Sequence, residues 1–235
     1  MTVSTLKVEP ATWKPGIETI GTVGASSGVD LTVETTGIIT QVNFSANQRI
    51  ERGKVMAQLD NVVQSADVEA AKTALALNQR ALERAQALQR SGAGTQSALD
   101  SARAAAETSQ ADLNKLQAVL VQKQLTAPFE GIAGIPRVEV GQYIQPGTVV
   151  ATLQNLDTMR ADFSIPEQQL GSVSIGQPVT FSLDGQSATF TGKVTGIDPK
   201  VDASSRLVSV RAIISNPNGK LSPGQFVQVR VELPS

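Results

Sequence analysis

The chain contains one stretch of itself twice. GIITQVNFSANQRIERGKVMAQLD, residues 37–60, falls without a gap on GIAGIPRVEVGQYIQPGTVVATLQ, residues 131–154, an offset of 94 (131 − 37). Gly37 meets Gly131 and Ile38 meets Ile132. Gln48, Ile50, Gly53, Val55, Ala57 and Leu59 meet the same residue types at 142, 144, 147, 149, 151 and 153. A repeat at a fixed offset is a repeated piece of architecture. In each copy apolar residues alternate (Ile50, Val55, Ala57, Leu59; Ile144, Val149, Ala151, Leu153), which predicts short strands with one buried face. Gly53 and Gly147 sit in tight turns, where a positive φ is needed. A single copy is a half-buried sheet, marginal in water. Two copies facing each other make a small sandwich with a shared core.

The segment between the copies is helical. Residues 62–125 are rich in Ala, Leu, Gln, Glu and Arg and contain no Pro. In the first arm, positions 68, 71, 75, 78, 82 and 85 carry Val, Ala, Leu, Asn, Leu and Ala. In the second, positions 99, 102, 106, 109, 113, 116, 120 and 123 carry Leu, Ala, Ala, Ser, Leu, Leu, Leu and Lys. This 3-4 spacing gives each arm a narrow seam, as in a coiled coil. The short turn Ser91–Gly94 makes the arms antiparallel neighbours. Arms of about 28 residues reach roughly 42 Å. Lys72, Arg80, Glu83, Arg103, Glu107, Asp112 and Lys115 lie off the seam, as solvated residues do. A two-helix rod that projects from its host is expected. The Gly-x-Gly at 92–94 is not a phosphate loop, because no strand precedes it and no GK[ST] follows.

From Met159 onward the pattern is all β. Strands are predicted at ADFSI, VTFSL, ATFTGKVTGI, LVSVRAII and FVQVRVEL, with one short helical turn at Glu167–Val173. Turn signals fall at Ser174–Pro178, Asp184-Gly185, Asp198-Pro199, Asn216–Gly219 and Ser222–Gly224. Five or six strands at this spacing suggest a small antiparallel barrel, closed by Ile17–Val23 near the N-terminus.

Composition narrows the chemistry. There is no Cys and no His, which removes thiol nucleophiles, disulfides, Cys/His zinc sites and the usual general base near neutral pH. The three Met form no cluster that would bind a soft metal. Net charge is −1, so no strong field attracts nucleic acid. No apolar run reaches the length of a membrane span. No signal peptide is visible, so any native signal or anchor is expected upstream of this chain.

The order of these modules resembles the periplasmic adaptor subunits of tripartite efflux pumps, the membrane-fusion proteins of the haemolysin-D-like superfamily. The motifs that carry it are GIITQV…RIERGKVMAQLD, LTAPFEGIAG…VGQYIQPGTVVATL, FSIPEQQLGSVSIGQPV and GKVTGIDPKVDASSRLVSVRAII…LSPGQFVQVRV. The last two are similar to the resistance-nodulation-division (RND) subgroup. The resemblance implies a mainly β protein with an α-helical hairpin: a split lipoyl-like β-sandwich carrying an antiparallel coiled-coil hairpin, followed by a small antiparallel β-barrel. Its divisions would be N-terminal strands at 1–30, joining the barrel and a truncated membrane-proximal domain around Val3–Lys14; a split sandwich at 31–60 and 126–156; a hairpin at 61–125; and a barrel at 157–235. It implies no catalysis and no cofactor. It implies an inner-membrane RND transporter and a TolC-like outer-membrane channel as partners, and a ring of copies, most often six. The setting would be the periplasm, with an N-terminal anchor to the inner membrane outside this chain. Adaptors of this type that dock onto such a channel carry an Arg, a Leu four later and a Ser eleven later at the hairpin tip. Here Arg84, Leu88 and Thr95 take those places, Thr keeping the hydroxyl and adding a methyl. Thr95 also suits an ordinary helix N-cap, and Leu88 the last seam position. Arg206 in SSRLVSVR matches a recurrent barrel arginine and is expected to hold the loop after Asp198-Pro199.

Three other readings compete. An ABC-type exporter is an alternative transporter partner, disfavoured by the barrel motif and the hairpin length. A biotinyl or lipoyl carrier needs a modifiable Lys on a hairpin between adjacent halves. Here Lys54 has Thr148 as its counterpart and about seventy residues separate the halves. A hydrolase built on Asp198 and Asp202 would require two turn acids beside Pro199 to act as a catalytic pair.

Overall fold

The computed structural model describes residues 16–183, 189–216 and 219–233. The expected Asp184-Gly185 turn, the middle of the Asn216–Gly219 turn and the segment Val3–Lys14 lie outside them. In chain order the elements are β1 (Gly16–Thr32), β2 (Gly37–Val42), β3 (Arg49–Ile50), β4 (Val55–Leu59), α1 (Val62–Arg90), α2 (Gln96–Val121), β5 (Gln124–Thr126) and β6 (Gly131–Ala133). There follow β7 (Tyr143–Ile144), β8 (Val149–Pro166), a 3-10 turn (Glu167–Ser172), β9 (Pro178–Ser182), β10 (Thr189–Val201), β11 (Leu207–Ser215) and β12 (Phe226–Glu232). The chain divides into two compact units, one being Val29–Leu153 and the other the described residues up to Gly28 and from Gln154 onward.

In the first of these units the repeat folds as two halves that exchange strands. Arg49 and Ile50 of β3 pair with Ile132 and Gly131 of β6. Displaced by 94 residues, the same pairing recurs: Tyr143 and Ile144 of β7 pair with Ile38 and Gly37 of β2. The loops repeat as well. The Asn47 N–H donates to the Ala133 carbonyl at 2.9 Å, and the Gly141 N–H to the Ile39 carbonyl at 2.8 Å. The Gln48 side chain accepts from the Ser45 N–H at 2.9 Å, and Gln142 does the same for Glu139 at 3.0 Å. Gly53 and Gly147 have φ of 83° and 85°, and their N–H groups bond the carbonyls of Ala127 and Val33. Those two carbonyls are also 94 apart, so the repeat begins four residues earlier than identity in the sequence indicates. Asn47 sits at φ 62° where its counterpart is Gly141 at 88°. Asn is among the few side chains that tolerate that region, which is how one copy dispenses with glycine there.

A four-stranded sheet in the order β5-β4-β2-β7 faces a second layer containing β3, β6 and the start of β8. Ile39, Ile50, Met56, Leu59, Ile144, Val150 and Leu153 fill the space between, each 3% exposed or less. Both copies supply this core. The helical segment ends earlier than its composition predicts. α2 stops at Val121, and Gln124–Thr126 is strand β5, paired with β4 through Val55↔Thr126 and Ala57↔Leu125. Leu125 packs against the sandwich core, and that burial overrides helix propensity. Lys123 therefore leaves the seam. Its ammonium donates to the Thr36 carbonyl at 2.9 Å and ties the base of the hairpin to the sandwich.

The second unit is a six-stranded barrel in the order β1-β12-β9-β10-β11-β8, closed by pairing of β1 with β8. Its strands alternate cleanly; β11 and β12 bury every second residue. Met159, Ile165, Phe181, Ile214 and Leu221 fill the interior. One buried polar side chain is recorded among the described residues. Asn216 donates to the Leu156 and Leu221 carbonyls at 2.9 and 3.0 Å and accepts from the Leu221 N–H at 3.0 Å, locking the loop that leads into β12.

Two outcomes test this account. Leu59→Ala and Leu153→Ala remove equivalent, fully buried side chains, so each is expected to lower unfolding free energy by about 3 kcal/mol in urea titrations. A large difference between them would contradict the shared core. In the barrel, the Ser204 hydroxyl at 2.6 Å, the Ser205 N–H and hydroxyl, and the Ser204 N–H all donate to Asp202, holding its carboxyl down to about 2 from the usual 3.8. A depressed acid stabilises the fold fully above its unfolded value and loses that contribution as pH falls through about 2. Carboxyl NMR titration of Asp202 is expected to give that midpoint in the native chain and a higher one in Ser204→Ala.

Candidate functional site at the hairpin tip

The two helices are built to carry their connecting turn away from the strands that root them. α1 has 29 residues and α2 has 26, lengths of about 43 and 39 Å at 1.5 Å per residue. Val68, Leu75 and Leu113 form a buried cluster between them, with Ala71, Leu116 and Leu120 packed against it. Leu99 and Ala106 continue the buried line toward the tip. In the middle of the seam the Asn78 amide donates to the Ser109 hydroxyl at 2.6 Å. The off-seam residues Lys72, Arg80, Glu83, Arg103, Glu107, Asp112 and Lys115 are all exposed.

The turn is closed by the backbone of Leu88. Its carbonyl accepts from the Ala93 N–H and the Gly94 N–H, both at 3.0 Å, and from the Ser91 hydroxyl at 2.8 Å. The Gly92 N–H bonds the Gln89 carbonyl at 3.0 Å, and Gly92 has φ 74°. These paired bonds around a left-handed glycine are a Schellman C-cap, which satisfies the last carbonyls of α1. Gly94 is required for a different reason. A Cβ there would lie 2.8 Å from the Gln89 nitrogen and 3.0 Å from the Leu88 carbonyl carbon, both backbone atoms. α2 then starts at once. Thr95 is its N-cap in extended geometry, and its hydroxyl accepts from the Ala98 N–H at 3.2 Å.

This geometry settles the placement of the three tip residues singled out from the sequence. Arg84 and Leu88 are one turn apart on one face of α1. Leu88 and Thr95 are brought together by the Leu88–Gly94 bond. All three are exposed. Leu88 is 52% exposed and is not the last buried residue of the seam, although its position permits that. Among the described residues Arg84 has no ion-pair partner, so five N–H donors remain for another molecule. The Thr95 hydroxyl has the cap role and a methyl on the surface. Sequence reasoning passed over Gln89 and Gln96. Their amides bond across the turn, and Gln96 also donates to Asp100 at 2.9 Å. They flank the turn, three residues before Gly92 and two after Gly94.

The other candidates fall elsewhere. Arg206 has φ 58° and ends the tight Asp202–Arg206 turn, its N–H bonding the Asp202 carbonyl at 2.8 Å. Its backbone thus closes the loop after Asp198-Pro199, while its side chain lies 3.6 Å from Glu167 of the 3-10 turn. Asp198 accepts from the Lys200 N–H at 2.9 Å and Asp202 from its two serines; each caps its own turn, and they form no shared site. Lys54 is exposed in the β3–β4 turn. Among the described residues no group of Asp and Glu is arranged to hold a metal ion.

Comparison with known proteins agrees with this architecture. A family model for the barrel-sandwich hybrid domain of RND membrane-fusion proteins matches residues 27–154. A second, for the CusB-like beta-barrel domain, matches residues 161–235. An uncharacterized protein of Haemophilus influenzae Rd is 33% identical, with 99% of this chain and 62% of that protein aligned. Multidrug resistance protein MdtA of Proteus mirabilis is 26% identical over 90% of this chain and 57% of its own length. The chain thus spans about three-fifths of the length of these curated relatives. In fold it is similar to a MacA-MexA chimera containing the α-hairpin domain of Pseudomonas aeruginosa MexA, with a TM-score of 0.81 at 22% identity, covering 95% of this chain and 84% of the chimera. The first family model covers more than half of the sequence, and the chain belongs to the RND membrane-fusion-protein family, the adaptor class of efflux pumps.

Proposed function

We propose that this chain is part of a non-enzymatic periplasmic adaptor. It links an inner-membrane RND transporter to a TolC-like outer-membrane channel, in a pump that exports drugs or other small toxic compounds. The observation that carries this reading is the hairpin: a long two-helix arm that carries Arg84, Leu88 and Thr95, all exposed, at and just below its turn. An arginine offers several donors in a rigid fork, and an exposed leucine fits a small apolar groove. Each such contact is small. A ring of copies, six in the usual assembly, supplies the affinity through avidity. The adaptor is held at the inner membrane by an anchor on the N-terminal side. Both matching family models are of RND type, which favours an RND transporter over an ABC exporter. A lipoyl or biotinyl carrier is disfavoured because the only Lys at the repeated turn, Lys54, has Thr148 in the other copy.

Two measurements test it. The chain has no cysteine, so a single Cys is a clean probe. In the native full-length protein, Leu88→Cys is expected to cross-link in cells to the outer-membrane channel, and Lys72→Cys, far down the shaft, is not. A folded, expressed protein that fails to cross-link at 88 would remove the tip from the docking site. Thr95→Ala is expected to lower hairpin stability by about 1 kcal/mol through loss of the cap, seen as faster hydrogen exchange at Ala98. Thr95→Ser keeps both the cap and the channel cross-link.

A further inference from the structure

Apart from the Gln89–Gln96 pair at the turn, the Asn78–Ser109 hydrogen bond is the polar side-chain contact recorded between the two helices among the described residues, and it sits in the middle of an otherwise apolar stretch of the seam. It spans 31 positions of chain, is 2.6 Å long and half-buried, and lies near the midpoint of both helices. On either side the seam is Val68, Ala71, Leu75, Leu82 and Ala85 against Leu99, Ala102, Ala106, Leu113, Leu116 and Leu120. Those residues are nearly interchangeable. If one helix slides past the other by a heptad, apolar side chains still meet apolar side chains.

The polar pair does not survive such a slide. A shift of seven residues puts Asn78 opposite Ala102 or Leu116, and Ser109 opposite Ala71 or Ala85. The amide then loses its protein partner, and, being half-buried among methyl groups, it recovers only part of that bond from water. A single polar residue at a seam position fixes register in coiled coils for this reason, at some expense in stability. Register matters here because the tip spans both helices. Seven residues are about 10 Å of axial displacement. In a hairpin the slip is shared by the two arms, so the turn would re-form three or four residues away from Gly92 and Gly94. Thr95 would no longer start α2 beside Leu88.

We propose that Asn78 and Ser109 are positioning residues that set the register of the hairpin and thereby hold Arg84 and Leu88 of α1 beside Thr95 of α2. The register claim stands by itself; only its consequence for docking rests on the tip reading. The test uses the full chain with spin labels on cysteines replacing Lys72 and Glu107, both exposed and on opposite helices. The parent gives one interspin distance. Asn78→Leu combined with Ser109→Ala is expected to keep the helical content and raise or hold Tm, and to add a second distance population. The exchanged pair, Asn78→Ser with Ser109→Asn, restores a single distance, because the bond is rebuilt in the opposite sense. Ser109→Ala alone, a mild change for a helix, shows the second population at lower weight. A single, unchanged distance in both the double variant and Ser109→Ala overturns the inference. The Leu88 cross-link separates the two ideas. A second distance population together with a weakened cross-link supports both. A second population with no cross-link even in the parent leaves the register role standing and removes the docking reading.

Discussion

Neither half of the repeat can satisfy its own backbone. β3 finds its partner in β6 of the other copy, and β7 finds its partner in β2 of the first. The same exchange carries the turns, where Gly53 and Gly147 each bond a carbonyl at the start of the opposite copy. An unpaired strand edge in water is weak, and one buried without a partner is strongly disfavoured. The sandwich therefore exists only when both copies are present and face each other. Everything else in that unit depends on this reciprocity. The hairpin can be inserted between the copies because the copies need each other in space but not in sequence.

Much of this was legible in the residues. The repeat declared itself through identities at turns and core positions, since Gly53, Gly147, Leu59 and Leu153 are under the same steric demand in both copies. The seam was legible because coiled-coil spacing is a property of the helix alone. The barrel followed from alternation, as in β11 and β12, each of which buries every second residue. What escaped the sequence were features decided by tertiary partners. The register of Val33 with Ala127 has no identity to mark it, because the shared requirement is a backbone carbonyl. The end of α2 was misplaced because Leu125 and its neighbours suit a helix but are claimed by β4. Arg206 points to Glu167, a contact set by how β8 leads into the 3-10 turn rather than by neighbours in sequence.

The tip divides in the same way. Arg84, Leu88 and Thr95 were singled out by the resemblance, whose tip pattern they match, and the Schellman cap and the Thr95 N-cap fix the turn that joins their two helices. The backbone of Leu88 organises the turn while its side chain stays free for another surface. This separation of tasks allows a leucine to be both necessary to the local fold and available at the surface. Gln89 and Gln96 were not found because an amide pair across a turn leaves no pattern in sequence.

The placement of the hairpin between the two copies also bears on how the chain reaches its native state. Bringing residue 60 to residue 124 through an unstructured loop would be slow and entropically unfavourable, and the strand exchange needs both ends at once. A helical hairpin removes that difficulty. Its contacts nearest the tip are the shortest in sequence, so zipping from the tip would lower the loop-closure entropy of each contact below it and draw the two half-sandwiches nearer. By the time Lys123 reaches Thr36, the effective loop is a few residues long. The arm is thus also the means by which the halves of its own base are brought together, so changes along its shaft register in the folding rate of strands that they do not touch.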